Sequence, residues 1–222
     1  MKLWNWLPAV CAGALLASCA GVGSTGKTHT LNSDVSPDRA LALLKDGNRR
    51  YVTERDARRD DASDRRATLA KGQKPFAVIL GCADSRTAPE VIFDQQLGSL
   101  FVCRVAGNVT DPVVLGSIEY AVEHLHSPLI VVLGHGKCGA VKASLGGHAE
   151  GNVGSLLTHV HPGHGLKGDA DAQTAAGVVN NVAWQTKSLT KDSPVIRKLV
   201  REGKVKIASG VYSLDSGEVA WQ

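Results

Sequence analysis

Phe76-Ala-Val-Ile-Leu-Gly-Cys-Ala-Asp-Ser-Arg86 is an apolar run of strand length that ends in a thiol, with a carboxylate two residues later and a guanidinium two after that. Leu129-Ile-Val-Val-Leu-Gly134 repeats the design and runs straight into His135-Gly-Lys-Cys138. Short apolar runs without alternation are the mark of strands buried on both faces, as in parallel sheets. In such sheets the ligand site lies beyond the carboxyl ends of the strands. The two strand ends are therefore expected to meet and to hold one metal ion between Cys82, His135 and Cys138.

Working outward, the pattern predicts strands over Phe76 to Leu80, Leu100 to Arg104, Leu129 to Leu133 and Val205 to Tyr212, separated by helical stretches. This is an α/β fold with a mostly parallel central sheet flanked by helices. Ser36-Pro37-Asp38 offers a cap, a first-turn proline and a first-turn acid, and Ala40, Leu41, Leu43 and Leu44 supply an apolar face, so an N-terminal helical arm is expected over 37 to 54. The charged run Arg55 to Arg66 reads as a solvated loop or helix face. Further helices are expected over Val113 to Leu125, Gly139 to Leu145, Ala172 to Leu189 and Pro194 to Arg201. Gly146 to Gly168 reads as irregular, and its His148, His159, His161 and His164 as surface or structural histidines.

With 222 residues and 43% hydrophobic content, the chain suffices for one well-packed domain, expected over 36–222 with its arm at 36–58. A net charge of +4, evenly mixed along the chain, argues against a nucleic-acid partner. Lys2 and the apolar run Leu7 to Leu16 read as a signal peptide over 1–18, too short for a permanent membrane span. Leu16-Ala-Ser-Cys19 resembles a bacterial lipobox, which implies a lipid on Cys19. Ala20 favours the outer over the inner membrane, and residues 19–35 read as a flexible tether. The expectation is an exported, periplasmic, lipid-anchored protein. Of five cysteines only Cys82, Cys103 and Cys138 fall in the folded body, an odd number that argues against a disulfide framework.

Zinc favours tetrahedral thiolate and imidazole ligands, and a catalytic site leaves one position for water or substrate. His-x-x-Cys joins a strand-end ligand to one in the first turn of the next helix, where the helix dipole favours a thiolate. Gly134, Gly136 and Gly139 are expected to let the backbone turn tightly around the ion. Two thiolates cancel the charge of Zn2+, so a supporting base is needed. Asp84 is placed to be that base, with Arg86 keeping it ionised. The chemistry that suits such a centre is attack of hydroxide on a small carbonyl-like electrophile.

Cys82-Ala-Asp84-Ser-Arg86 together with His135-Gly-Lys-Cys138 resembles the paired signature of the β-class carbonic anhydrases. Gln73, Phe101, Arg104, Gly107-Asn108 and Ile118-Glu-Tyr120-Ala-Val extend the likeness. The resemblance implies reversible hydration of CO2 to bicarbonate at one zinc per subunit, ligated by Cys82, His135 and Cys138. It makes Asp84 and Arg86 the catalytic dyad and has Gln73, Phe101, Ala106 and Tyr120 line the substrate pocket, Ala106 standing where relatives carry a larger aliphatic residue. It also implies a homodimer or tetramer in which the N-terminal helix embraces a second subunit, so that Gln73 and Tyr120 serve the neighbour's zinc. A closed form, with Asp84 as fourth ligand, belongs to the same family. Members whose closed form is stabilised by bicarbonate carry Trp where this chain has Ile79. Two alternatives use the same site: hydrolysis of CS2 or COS, and zinc binding without catalysis. The presence of Asp84 and Arg86 argues against the last, because a purely structural site needs a fourth protein ligand and no base.

Overall fold

Ser36 accepts a hydrogen bond from the Arg39 N–H at 3.2 Å and Pro37 takes the first helical position, so helix α1 (Pro37–Val52) starts where its capping residues dictate. The structure, a computed structural model, describes residues 34–55, 62–147 and 149–222. The leader, Cys19, most of the tether, residues 56–61 of the charged run and His148 lie outside the described residues. The chain continues through α2 (Ala62–Leu69), β1 (Ala77–Gly81), α3 (Pro89–Ile92), β2 (Leu100–Arg104), a 3-10 turn (Ala106–Asn108), α4 (Pro112–Glu123), β3 (Leu129–His135), α5 (Gly139–Gly146), α6 (Gly151–Leu157), α7 (Ala170–Asp192), α8 (Pro194–Arg201), β4 (Lys206–Tyr212) and β5 (Val219–Trp221).

The sheet order is β2-β1-β3-β4-β5, with the first four strands parallel and β5 antiparallel to β4. Successive side chains on a strand face opposite ways, and both faces here are covered. Ala77, Ile79, Leu129, Val131 and Leu133 pack with Ala40 and Leu44 of α1. Val78, Leu80, Ile130 and Val132 pack with Leu115, Ile118 and Val122 of α4, Val182 and Leu189 of α7, and Ile196 of α8. Burying each such Leu, Ile or Val contributes about 1.5–3 kcal/mol, which is why β1 and β3 are buried along their whole length.

The arm finds cover for its apolar stripe on its own chain. Asn48, 6% exposed, donates to the carbonyls of Ile92 (3.1 Å) and Gly217 (2.8 Å) and accepts the Val219 N–H (2.9 Å). Beside it, α1 comes so close to the turn after α3 that a Cβ on Gly47 would lie 1.8 Å from the Phe93 carbonyl oxygen.

Two elements differ from the sequence expectation, and a third decides between the loop and the helix face expected of the charged run. Gly151–Leu157, expected to be irregular, is helical: Val153, Leu156 and Leu157 recur at helical spacing, but Gly151 and Gly154 mask the signal. Strand β5 is three residues long and pairs across the Ser213 to Gly217 turn, below the length that sequence patterning detects. The charged run turns helical at Ala62, and Arg65 of α2 caps the chain before β2, donating to the Leu97 carbonyl and Ser99 Oγ.

Candidate metal centre

Strands β1 and β3 are hydrogen-bonded neighbours with Gly81 opposite Leu133. Cys82 therefore leaves the end of one strand where His135 completes the next, and Cys138 follows at the N-cap of α5. The ligand atoms of Cys82, His135 and Cys138 lie within 4.8 Å of one another, and all three side chains are buried. Bonds of about 2.3 Å to sulfur and 2.0 Å to nitrogen would seat one tetrahedral ion among them.

The donor chemistry fits zinc. His135 Nδ1 lies 2.8 Å from the Gly136 carbonyl, so with Nδ1–H donating there, Nε2 carries the free lone pair. That Nε2 is buried and has no hydrogen-bond partner among the described residues, a condition that costs free energy unless something positive meets it. The two thiols share charge unequally. Hydrogen bonding from Cys138 holds the Cys82 thiol down to about 4 against the opposing effect of burial, whereas the same contact and burial push Cys138 up. A thiolate facing a buried thiol proton is an arrangement in which a dication replaces the proton with gain. Cys103 is not part of the cluster, and burial alone raises its thiol to about 11.

Backbone amides complete the environment of Cys82. Its sulfur accepts the N–H of Gly107 at 3.3 Å and of Asp84 at 3.4 Å. The chain between Cys82 and Asp84 is pinned by Arg104, whose Nε and Nη2 donate to the carbonyls of Cys82 (2.9 Å) and Asp84 (2.6 Å). Thr87 Oγ1 donates to the same two carbonyls at 3.2 and 2.9 Å. Both residues act on main-chain oxygens, a role that sequence spacing does not disclose. Arg104 left one trace, as the lone charge ending an apolar strand.

Asp84 is gripped by Arg86. Oδ1 accepts the Arg86 backbone N–H (3.0 Å) and Nε (2.9 Å), and Oδ2 accepts Nη2 (2.7 Å). These bonds hold the carboxyl well below the usual carboxylate range. Oδ2 also lies 3.8 Å from His135 Nε2. Asp84 thus borders the metal position from the side, committed to Arg86.

The turn around the ion is not made by glycines. Gly134, Gly136 and Gly139 all have ordinary negative φ, and the left-handed residue is Lys137 at φ +55°. Its Nζ binds both carboxylate oxygens of Asp215 at 2.8 and 3.0 Å. Gly134 answers to packing instead: a Cβ there would meet Val182 of α7 at 2.4 Å.

Of the expected pocket residues, only Ala106 stands at this end of the sheet, next to the Gly107 amide. Phe101 is in register with Val78, four residues before Cys82, or about 13 Å along the strand. Tyr120, 49% exposed, stacks near Phe101 with ring centroids 6.4 Å apart. Gln73 is exposed and precedes β1. Phe101 and Tyr120 thus stand toward the amino ends of the strands, away from their own chain's Cys82, and Gln73 lies before β1 begins. His161 stacks on Trp184 at 4.1 Å.

The sequence pattern of the carbonic anhydrase family matches residues 77–219. Carbonic anhydrase 2 of Mycobacterium tuberculosis is 43% identical over 190 residues, covering 83% of this chain and 92% of that protein. Among solved structures, the Coccomyxa β-carbonic anhydrase in complex with acetazolamide superposes with a TM-score of 0.66 at 30% identity, over 82% of this chain and 85% of its own. The tetrameric β-carbonic anhydrases of Sordaria macrospora give 0.67 at 25% identity, over 82% and 96%. The shared pattern begins at the strand that delivers Cys82 and ends at the strand that closes the sheet, and the chain belongs to the β-class carbonic anhydrase family.

Proposed function

We propose that this chain catalyses the reversible hydration of CO2 to bicarbonate and a proton, with Cys82, His135 and Cys138 as the ligands of one zinc ion per subunit. The observation that carries the reading is the unpartnered His135 Nε2, buried against two thiols, with the Asp84 carboxylate 3.8 Å away. Zinc, when bound, supplies a nucleophile by acidifying water near neutral pH. Asp84, ionised throughout the working range, is placed to accept a hydrogen bond from that nucleophile and so to orient it toward the carbon of CO2. Arg86 has two tasks: it keeps the carboxylate charged, and by engaging both oxygens it keeps Asp84 from becoming a fourth ligand. The Gly107 and Asp84 amides spread the negative charge of Cys82, so two thiolates weaken the cation less than they otherwise would.

Stopped-flow hydration with a pH indicator tests the reading. The zinc-replete protein is expected to carry about one zinc per chain and to turn over faster above neutral pH. A zinc-replete protein inert at alkaline pH would refute it.

Half-buried Phe101 and exposed Tyr120 form an aromatic pair remote from their own chain's metal ligands, and the Sordaria relatives are tetrameric. Both observations support a homo-oligomer in which Gln73, Phe101 and Tyr120 line a neighbouring subunit's pocket. The lipobox-like Leu16 to Cys19 supports export and anchoring through Cys19, with residues 19–35 as tether and 36–222 as the catalytic domain. Metabolic labelling with palmitate is expected to mark the protein and to be lost in Cys19→Ser. Labelling that survives the substitution rules out that residue as the anchor.

A further inference from the structure

Helix α7 lays the face Val178, Asn181, Val182 and Gln185 against the metal-bearing end of the sheet, at the spacing that puts residues on one side of a helix. The two valines pack on Gly134. The two amides are each 1% exposed and carry a network that the hydration chemistry does not use directly. Asn181 Nδ2 donates to the Gly107 carbonyl at 2.8 Å, and Asn181 Oδ1 accepts the His161 N–H at 2.9 Å and Gln185 Nε2 at 3.2 Å. Gln185 Nε2 donates to the His159 carbonyl at 2.7 Å, while its Oε1 accepts the N–H and hydroxyl of Thr110 at 2.9 and 2.8 Å.

Asn181 and Cys82 thus grip the same glycine from its two sides: the Gly107 carbonyl is held by Asn181, and the Gly107 N–H is aimed at the Cys82 sulfur at 3.3 Å. Gly107 has no side chain of its own to fix it. Its neighbour Asn108 leaves its own Nδ2 without a partner among the described residues.

We infer that Asn181 is a positioning residue for the metal centre: by holding the peptide on the carbonyl side of Gly107 it fixes the φ and ψ of that glycine, and so keeps the N–H of the preceding peptide on the Cys82 sulfur. The inference rests on the zinc assignment above. An amide donor on a thiolate ligand sets how much charge the sulfur passes to the metal, and loss of such outer partners typically costs 10–100-fold in metal affinity or activity. Gln185 makes four side-chain bonds to the three of Asn181 but reaches Gly107 only through Asn181. The pair therefore separates metal tuning from plain structural support.

The test compares Asn181→Leu with Gln185→Met in the full-length protein, by chelator competition for zinc and by the sulfur-to-metal absorption band of the cobalt-substituted protein. Asn181→Leu is expected to weaken zinc binding about 10–100-fold and to shift the cobalt band. Gln185→Met is expected to lower the melting temperature with zinc affinity and cobalt band unchanged. If Asn181→Leu does not fold, Asn181→Ala withdraws the donor without adding bulk, and the same outcome is expected of it. Wild-type affinity and an unshifted band in folded Asn181 variants overturn the inference, as does an equal zinc loss in Gln185→Met. A wild-type protein that binds no zinc fails the functional assignment instead.

Discussion

In Asp84→Asn, turnover of CO2 hydration falls by about a hundredfold or more while zinc stays at one ion per chain. Misplacing a reacting group by about 1 Å costs on the order of 10²-fold. The arithmetic of ligands explains the unchanged zinc: Cys82, His135 and Cys138 form the cluster, and Asp84 borders it from a place held by three hydrogen bonds to Arg86. An amide in that place keeps one acceptor oxygen but cannot hold a negative charge, so both the orientation of the nucleophile and the pairing with Arg86 are lost. Metal analysis beside stopped-flow assay checks both halves. Zinc lost in step with activity would show that Asp84 is a ligand and not a base. The pH response has a defined sign. The Arg86 contacts lower the carboxyl from its ordinary value of 3.8, so the stability they lend is present above that value and lost as pH falls below it. The Asn variant lacks this acid-dependent loss.

Gly47→Ala is expected to destabilise the protein by about 3 kcal/mol, the upper end of the usual overpacking cost, lowering the melting temperature by about 6–12 °C at this chain length. Helix propensity alone predicts the opposite sign, since alanine in the interior of a helix is favoured over glycine by about 1 kcal/mol. Packing decides the contest. The new Cβ would lie 1.8 Å from the Phe93 carbonyl oxygen, a backbone atom that cannot rotate away. To admit it, α1 has to lift from the sheet and strain the three hydrogen bonds of Asn48. An unchanged or raised melting temperature by calorimetry would mean that α1 slides freely. Zinc content should follow wild type, because the clash lies on the face of the sheet away from α7.

Asp84 and Gly47 stand on either side of what residues alone disclose. Cys82 and His135 are legible because each sits where an apolar run breaks off, where a polar side chain serves packing poorly, and Cys138 because it follows His135 within a turn at the start of the next helix. The strands themselves are legible for the same reason. Gly47 and Asn48 are not, because their partners Phe93, Ile92, Gly217 and Val219 are supplied by distant parts of the chain, and nothing local to a helix announces a neighbour's carbonyl. Asn181 is hidden likewise inside a helix whose pattern advertises only its valines. The turn between the ligands departs from its sequence reading for a physical reason. Its glycines suggest a flexible backbone, but Lys137 takes the left-handed conformation, with its Nζ paired to Asp215, and Gly134 lets a helix come close. Local composition cannot distinguish a glycine that bends from one that makes room.

The side-by-side placement of β1 and β3 has a consequence for how the centre comes into being. Between Cys82 and His135 the chain must first run through β2 and α4, because β2 lies on the far side of β1 and the crossover has to close before β3 can dock. Parallel pairing of this kind is slow, since the entropy of closing the long loop is lost before the new contacts form. The ligands accordingly meet only once β3 has docked on β1, and a metal ion that takes on colour only in the finished cage, such as cobalt, works as a clock for that one pairing.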